Sequence, residues 1–466
     1  MNSTKIFSGL AITIFATLNG SCSSKSTPSP AGSAPTAPSS CTTATQGASG
    51  SVLTTSTTNV IPLYIADPAT TGSIGYSNEP LVSVTICSPN HGSDPSKCQT
   101  ISNILLDTGS YGLRVFSSVI AGNVSLAQQT ISYQGETLKL AECMEFGTGA
   151  DWGPIQNADV VLGNQTATNI PIQVIDSTFG SMPQECAALS PDTNPCSPDA
   201  GFNGILGVGV FAQDCGDDCA TTDSTLYIGQ YLGCNSTQCF NAGQDGTVMP
   251  VPLPQQVVNP VAALSSNNFN NGISIHLPAI GPSGATSVSG SMTIGIGAAA
   301  SNSPSGSVGV YPADPYGTTD GMGANFLTIF NGDTFGTTTS SGQAFLDSGS
   351  NAFYIPTASG LSLCPDTADF FCPSSAQNLS ATALGFSGTT GAPGTPSVVV
   401  NFSIANTDAL SNTGNSAFNN IGGPAGAIAG FDWGLPFFFG RTVYVGIQDK
   451  QATINSATKT GPYWAF

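Results

Sequence analysis

Short apolar runs alternate with polar segments rich in glycine and proline along most of the chain. Val60–Ile65, Leu81–Ile86 and Ile101–Leu106 are such runs, each bounded by Gly, Pro, Asn or Ser clusters. This pattern predicts short β-strands joined by turns. No stretch keeps convincing helical periodicity over three turns, so the pattern predicts an all-β fold. The composition agrees, because 55 Gly and 32 Pro favour turns over long helices.

The first residues have the pattern of an export signal. Residues 1–21 contain one basic residue, Lys5, then an apolar run from Ile6 to Leu18, then small residues that end at Cys22. The run is too short to span a membrane. Small residues before a cysteine resemble a bacterial lipoprotein signal, although Asn19 stands where an aliphatic residue is usual. We therefore expect an exported protein, either a lipoprotein lipidated on Cys22 at the outer membrane or cell surface, or a periplasmic or secreted protein.

The remaining chain divides into a tether and two predicted lobes. Residues 22–50 are mostly Ser, Thr, Pro and Ala, and they contain too few large apolar residues to fold. A chain of 466 residues exceeds the usual size of one domain. We predict an N-terminal β-lobe over residues 51–250 and a C-terminal β-lobe over residues 251–466.

The cysteines indicate an oxidising compartment. There are 13 of them, and setting a lipidated Cys22 aside leaves an even number, all of which can pair. Five pairs of near neighbours suggest local loop disulfides, although spacing does not determine connectivity: Cys87 with Cys98, Cys186 with Cys196, Cys215 with Cys219, Cys234 with Cys239, and Cys364 with Cys372. Zinc binding is the alternative, but only two histidines and no CxxC pair are present, so we expect no metal.

The charge balance restricts the partners. Only 8 residues are Lys or Arg against 27 Asp or Glu, and the formal charge of −19 repels nucleic acids and anionic lipids. We expect no nucleic-acid partner, a membrane contact only through lipid on Cys22, and a monomer. The acidity suits a protein that works at low pH, and ordinary secreted-protein acidity explains it equally well.

An internal repeat is the most informative feature. LLDTGSYGLRVF at Leu105–Phe116 aligns with FLDSGSNAFYIP at Phe345–Pro356. Each copy has an apolar residue, Leu, Asp, a hydroxyl residue, Gly and Ser in the same order. A repeat of this kind indicates duplicated structural units.

A second pair of similar segments follows the two copies. Asn203–Phe211 (NGILGVGVF) and Asp432–Gly440 (DWGLPFFFG) are both predicted as apolar strands with a central glycine. Gly204 and Gly434 are taken as counterparts, which places them at similar distances after their aspartates. The two halves therefore read as duplicated lobes.

Each repeat places an aspartate at the end of an apolar strand and before a glycine turn. If the lobes face each other, Asp107 and Asp347 meet, and two like charges in contact hold one proton between them. Such a pair can activate a water molecule without a metal, a cofactor or a nucleophilic serine. The neighbouring residues supply hydroxyl donors and close backbone approach, and they are Thr108, Gly109, Ser110, Ser348, Gly349 and Ser350.

These motifs resemble the pepsin-like aspartic peptidase family, whose hallmark is Asp-Thr/Ser-Gly-Thr/Ser once per lobe. Asp107–Ser110 and Asp347–Ser350 match it. The resemblance implies a two-lobed fold of duplicated β-barrels with a cleft between them. It also implies an aspartic endopeptidase whose aspartates share one proton, as the family is known to do. Its flap hairpin is matched by EFGTG, which comprises Glu145, Phe146, Gly147, Thr148 and Gly149.

Two residues depart from the family. Phe146 stands in place of the flap tyrosine, and Arg114 stands where an aromatic residue is common. Glu145 is the predicted partner of Arg114, unless Arg114 faces solvent. The alternative function is a catalytically weak or inactive surface lipoprotein that binds peptides or glycans in its cleft. A structural surface lipoprotein with an inert β-domain is a third interpretation.

Overall fold

The computed structural model describes most of the chain from residue 58 onward. The described residues are 58–65, 76–92, 94–147, 149–189, 202–298, 302–304, 308–315, 324–337, 342–356, 360–365, 369–387, 392–426 and 430–466. The predicted export signal at residues 1–21, the tether at residues 22–50 and the lipidation site Cys22 lie outside these residues.

Strands dominate the described residues. They are β1 Val60–Ile65, β2 Leu81–Cys87, β3 Cys98–Asp107, β4 Tyr111–Phe116, β5 Ala127–Gln128, β6 Thr130–Tyr133, β7 Glu136–Phe146, β8 Gly149–Leu162, β9 Gln165–Ile175, β10 Gly204–Val208, β11 Tyr231–Cys234, β12 Cys239–Phe240, β13 Gly272–Leu277, β14 Val288–Ile294, β15 Val310–Pro312, β16 Leu327–Phe330, β17 Asp333–Phe335, β18 Ala344–Leu346, β19 Phe353–Ile355, β20 Gln377–Ser387, β21 Ala392–Ile404, β22 Gly422–Pro424, β23 Phe431–Trp433, β24 Arg441–Gly446, β25 Gln451–Ile454, β26 Ala457–Thr460 and β27 Tyr463–Ala465.

The α-helices in the same residues are short. They are α1 Gln184–Ala187, α2 Asp217–Ala220 and α3 Thr407–Ser411. Strands account for 47% of the structure and helices for 8%, which confirms the predicted all-β class. No helix in the described part of the chain is long and apolar enough to cross a membrane.

The largest sheet has 17 strands and joins both halves of the sequence. β1 pairs antiparallel with β14, with Val60 opposite Thr293 and Ile65 opposite Val288. β14 also pairs with β13, which continues to β24 and β27 near the C-terminus. The first described strand therefore pairs directly with a strand from the second half of the chain.

The two halves contain the same strand arrangement around their aspartates. In the first half β10 lies between β3, to which it is parallel, and β4, to which it is antiparallel. In the second half β23 lies in the same way between β18 and β19. Asp107 ends β3, and Asp347 directly follows β18. The duplication predicted from the repeat is thus present in the strand pairing.

The strand register shows that Gly204 and Gly434, which the sequence suggested as counterparts, do not correspond. Gly207, not Gly204, lies opposite Asp107, and Gly434 lies one residue beyond the Leu346–Trp433 pair, opposite Asp347. The segment predicted as one strand from Asp432 to Gly440 also ends earlier, because β23 stops at Trp433 and a 3₁₀ turn follows at Leu435–Phe438. The glycine motif predicted that each segment contains a strand. It did not predict the strand register, because several glycines lie within a few residues of each other.

Aromatic residues pack beneath the second aspartate loop. The Trp433 ring lies 4.4 Å from that of Phe431 and 5.3 Å from that of Phe437, measured between centroids. Trp433 is fully buried, and its Nε1–H donates to Thr328 Oγ1 at 2.9 Å. Because the large apolar surface is buried and the indole donor is satisfied, this packing fixes the strand that precedes Gly434.

Five disulfides lie within the described residues. Four join the near neighbours that the sequence suggested: Cys87 with Cys98, Cys215 with Cys219, Cys234 with Cys239, and Cys364 with Cys372. The suggested pair of Cys186 with Cys196 is wrong, because Cys186 bonds to Cys143 on β7. Cys196 lies outside the described residues. This disulfide joins β7 to α1 across 43 residues, a connection that spacing alone does not reveal.

A buried asparagine connects the beginning of the described chain to the second half. Asn78 Nδ2 donates to the carbonyls of Asn351 and Phe418, each at 2.8 Å, and Asn78 Oδ1 accepts from Phe418 N–H at 2.7 Å. Its backbone N–H donates to Ser416 O at 2.7 Å. Asn78 has a φ of 63°, a left-handed conformation that asparagine tolerates better than most residues. One side chain therefore satisfies three backbone groups close to the second aspartate loop.

Replacing this asparagine is expected to destabilise the protein. Asn78→Ala leaves two carbonyls and one N–H buried without partners, so we expect the free energy of unfolding to fall by about 2–4 kcal/mol. Asn455→Ala is the matched control, because Asn455 has a similar φ of 52° but is exposed. Denaturant unfolding measures both variants. Equal losses in the two would mean that backbone strain, and not the buried amide, accounts for the effect.

Candidate active site

The two aspartate loops are locked together by reciprocal hydrogen bonds. Thr108 N–H donates to Ser348 Oγ at 3.1 Å, and Ser348 N–H donates to Thr108 Oγ1 at 2.9 Å. The same hydroxyls donate across the junction, from Thr108 to Leu346 O at 3.0 Å and from Ser348 to Leu106 O at 2.7 Å. Each loop is therefore held by the backbone of the other, which fixes the separation of the two aspartates.

The loop glycines lie directly against the opposite carboxyl groups. A Cβ at Gly109 would lie 2.6 Å from Asp347 Cγ, and a Cβ at Gly349 would lie 2.8 Å from Asp107 Oδ1. These distances are too short for a side chain, so the glycines are required by the approach of the two loops. Asp107 and Asp347 are thus neighbours at one site.

Both carboxyl groups accept hydrogen bonds from their own loops. The donors are a glycine N–H two residues on and a serine hydroxyl three residues on. The four bonds are Gly109 N–H to Asp107 Oδ1 at 2.8 Å, Ser110 Oγ–H to Asp107 Oδ2, Gly349 N–H to Asp347 Oδ1 at 2.7 Å, and Ser350 Oγ–H to Asp347 Oδ2 at 2.7 Å. Donors at this distance stabilise a carboxylate and hold its orientation.

The electrostatics of the pair favour one retained proton. Asp107 and Asp347 are both fully buried. Burial raises the pKa of Asp347 well above its usual value, and the negative charges of Asp107 and Asp432 raise it further. A hydrogen bond with Asp107 acts in the same direction, whereas the bond from Ser350 lowers the pKa. The pair can therefore hold a proton at a pH where an isolated aspartate is ionised.

Two phenols interact electrostatically with the two carboxyl groups. Burial raises the pKa values of Tyr76 and Tyr111, and the charges of both aspartates add to each shift. Glu79 also acts on Tyr76, and burial raises the pKa of Glu79 itself to about 8. The site is thus enclosed by neutral polar groups and by an acid that stays protonated near neutral pH.

A hairpin is present where the flap was predicted. β7 ends at Phe146 and β8 begins at Gly149, with Phe146 opposite Gly149 and Glu145 opposite Ala150. Thr148 lies outside the described residues, and Gly147 is exposed. Phe146 is buried in an apolar cluster, whereas Glu145 is only partly buried, and burial raises the pKa of Glu145.

The structure corrects both interpretations of Arg114. Its side chain is fully buried and does not face solvent. Its partners are not Glu145 but Glu142, whose Oε1 is 3.2 Å from Nη2, and Asp214, whose Oδ2 is 2.8 Å from the same atom. The guanidinium carbon also lies 5.7 Å from the centre of the Phe146 ring. Arg114 thus connects the root of the flap hairpin to the interior of the first half.

The cluster of Arg114, Glu142 and Asp214 contains two acidic groups and one basic group. Burial raises the pKa of Glu142 well above its usual value, Asp214 raises it further, and Arg114 opposes both. The raised pKa lets Glu142 keep a proton, while Arg114 balances the charge of Asp214. Arg114 is thus ion-paired with Glu142 and Asp214.

The comparisons with known proteins come from sequence and from structure. Residues 55–466 match the family model described as "Protein of unknown function (DUF3443)". The chain belongs to the DUF3443 family. No curated protein matches its sequence. Among solved structures, this DUF3443 chain is similar to an aspartic proteinase from Irpex lacteus, with 15% sequence identity, coverage of 87% of this chain and 96% of the proteinase, and a TM-score of 0.44.

Sequence reasoning missed two groups near the pair in this DUF3443 chain. Tyr76 precedes β2 in a segment that carries no motif. Asp432 is a single acid in the apolar run GFDWGLPFFF, which was interpreted only as a strand. An acid inside an otherwise apolar buried strand is itself an unusual signal, because charged groups are seldom fully buried without a partner.

Proposed function

We propose that this protein is an aspartic-type endopeptidase that hydrolyses peptide bonds with Asp107 and Asp347. The observation that carries the proposal is the reciprocal bonding of Thr108 and Ser348, which holds two buried carboxyl groups side by side. Two acids in this arrangement share one proton, and they then offer one general base and one general acid at the same point.

The first chemical step uses both carboxyl groups at once. Because its pKa is raised, Asp347 keeps the shared proton and Asp107 acts as the base. Asp107 takes a proton from a water molecule, whose oxygen attacks the peptide carbonyl carbon. Asp347 gives its proton to the carbonyl oxygen, and a tetrahedral gem-diol results. No net charge builds up on the substrate, which suits a site with little contact with water.

The second step breaks the peptide bond and restores the pair. A proton passes from Asp107 to the leaving nitrogen while a hydroxyl of the gem-diol returns its proton to Asp347. The carbon–nitrogen bond breaks, and a carboxylic acid and an amine leave. The glycine N–H and serine hydroxyl of each loop keep the carboxyl groups oriented through both steps.

The surroundings favour an extended peptide substrate and acidic conditions. A peptide between the two halves can be covered by the hairpin of β7 and β8, which has Glu145, Phe146, Gly147 and Gly149 near its tip. The disulfides suit an oxidising compartment outside the cytoplasm. The proposal includes a monomer without metal or cofactor, anchored through lipid on Cys22 or released.

Hydrolysis of a denatured protein across about pH 2 to 7 tests the function. We expect cleavage at acidic pH that a statine-type inhibitor abolishes, because such compounds mimic the tetrahedral intermediate. The inhibitor also controls for contaminating peptidases of other classes. No cleavage and no inhibitor binding at any of these pH values would overturn the proposal. Tight peptide binding without cleavage would instead indicate the non-catalytic binding protein.

A further inference from the structure

Asp432 is a third acid beside the pair. It lies in β23, opposite Phe345 of β18 and Tyr354 of β19, and Asp347 comes two residues after Phe345. Its side chain is fully buried. Asp347 N–H donates to the carbonyl of the adjacent Trp433 at 3.2 Å, so the strand that carries Asp432 also holds the backbone of Asp347.

The duplicated half shows that the fold does not require an acid at this position. In the first half the counterpart of Asp432 is Ile205, which lies opposite Leu105 of β3 and Arg114 of β4. Ile205 is buried in an apolar cluster. An apolar residue therefore fits the equivalent strand, and the acid in the second half has a different role.

Asp432 is also poorly satisfied. Neither of its carboxyl oxygens has a hydrogen-bond partner within the described part of the chain. Ser350 is near enough to lower the pKa of Asp432, but its hydroxyl donates to Asp347 Oδ2 at 2.7 Å. A buried acid without partners is costly to a fold, and such groups concentrate at functional sites.

The groups that face Asp432 are acids and a phenol. Asp107 acts on it from the other half, Asp347 from the loop after β18, and Tyr354 from β19. Burial raises the pKa of Asp432 well above its usual value, and the charge of Asp107 adds to the shift. In turn, the charge of Asp432 raises the pKa of Asp347. The titrations of Asp347 and Asp432 are therefore coupled.

We propose that Asp432 is a positioning residue that keeps the catalytic proton on Asp347 as the pH rises. At acidic pH Asp432 is neutral, because burial raises its pKa. As the pH rises, any negative charge that Asp432 takes up opposes the ionisation of Asp347. The proton-sharing pair then survives to a higher pH than it would alone. This inference rests on the proposed peptidase function.

The pH profile of kcat/KM tests the role of Asp432. Asp432→Asn removes the titrating charge, and Asp432→Ile introduces the residue of the first half. In both variants we expect the alkaline limb to move to lower pH by about one unit, with the acidic plateau retained within about threefold. Asp333→Asn is the matched control, because Asp333 is exposed and its replacement changes the net charge equally.

The outcomes separate this inference from the proposed function. An active wild type whose alkaline limb is unmoved in both variants overturns the role of Asp432 alone. An inactive wild type overturns the peptidase proposal, and this inference falls with it. A change in KM at all pH values, with the alkaline limb of the kcat/KM profile unmoved, would mean that Asp432 affects only the geometry of the site. This result would also overturn the proposed role of Asp432.

Stability against pH gives a readout that does not depend on catalysis. The folded pKa of Asp432 is raised, so its protonation stabilises the fold below the unfolded pKa, and this contribution is lost as the pH rises through the folded pKa. Asp432→Asn should therefore gain in denaturation midpoint relative to wild type between about pH 4 and 7. A difference that stays constant with pH would show that Asp432 does not titrate differently on folding, and it would overturn the inference.

Discussion

Replacing either aspartate of the pair is expected to lower kcat for peptide hydrolysis by about a thousandfold or more. Asp107→Asn cannot accept a proton from water, and Asp347→Asn cannot donate one to the carbonyl oxygen. Each amide keeps the size of the carboxyl group, so the reciprocal bonds between Thr108 and Ser348 should persist. Steady-state kinetics on a peptide substrate measures the loss, with Asp333→Asn as the exposed control.

The Asp347→Asn variant should not lose stability at neutral pH. Because the folded pKa of Asp347 is raised, protonation of this acid stabilises the fold below the unfolded pKa, and this contribution is lost as the pH rises through the folded pKa. Asp347→Asn does not titrate, so its denaturation midpoint should rise relative to wild type above about pH 4. Retained hydrolysis in a folded Asp347→Asn protein would contradict its role in the reaction.

Removing the buried cation of the first half is expected to have the largest effect on stability. Arg114→Met leaves Glu142 and Asp214 buried without their counter-charge, so we expect the free energy of unfolding at neutral pH to fall by about 3–5 kcal/mol. Methionine fills a similar volume, so the loss reports charge rather than a cavity. Denaturant unfolding at several pH values measures it.

Acid and a compensating substitution should both reverse this loss. Without Arg114 the pKa of Glu142 rises further, because Arg114 is the group that lowers it. Protonation then stabilises the folded variant as the pH falls, and the deficit should shrink towards about pH 4. Arg114→Met combined with Glu142→Gln should recover part of the deficit at neutral pH. A deficit below about 1 kcal/mol would mean that Arg114 does not balance buried charge.

The sequence predicted the pair because its determinants are local. Asp, a hydroxyl residue, Gly and Ser occupy consecutive positions, and each carboxyl accepts bonds from residues two and three positions on. Such contacts need only the local turn. The repeat then supplied the one non-local fact, that two equivalent turns exist. The meeting of Asp107 and Asp347 followed from duplication and not from any contact visible in either segment.

The partners of Arg114 could not be found in the same way. Asp214 is 100 residues away and reaches Arg114 only because β4 and β10 pair. Glu145 was chosen for its place in the flap, but Glu142 and Glu145 are three residues apart on β7, so they point to opposite faces of the strand. The alternation of side chains along a strand can be read from the sequence. The sequence does not show which face of β7 turns towards Arg114.

Asp432 escaped prediction for a related reason. Its importance depends on the register of β23 against β18, and the glycine motif placed the equivalent strands three residues out of step. In the wrong register Asp432 aligns with Phe202, a buried residue before β10. In the correct one it replaces Ile205 and lies beside the pair. A pattern of apolar residues and glycines identifies a strand, but only backbone pairing shows which side chains are neighbours.

The exchange of hydrogen bonds between Thr108 and Ser348 has a consequence for how the chain matures. Residues 240 positions apart must meet before either loop is complete, so the amino-terminal half leaves the ribosome with a solitary carboxyl group and no acid to share its proton. Under the proposed chemistry, the chain cannot hydrolyse peptide bonds during its synthesis and transport. Peptidase activity appears only when the last strands pack against the first.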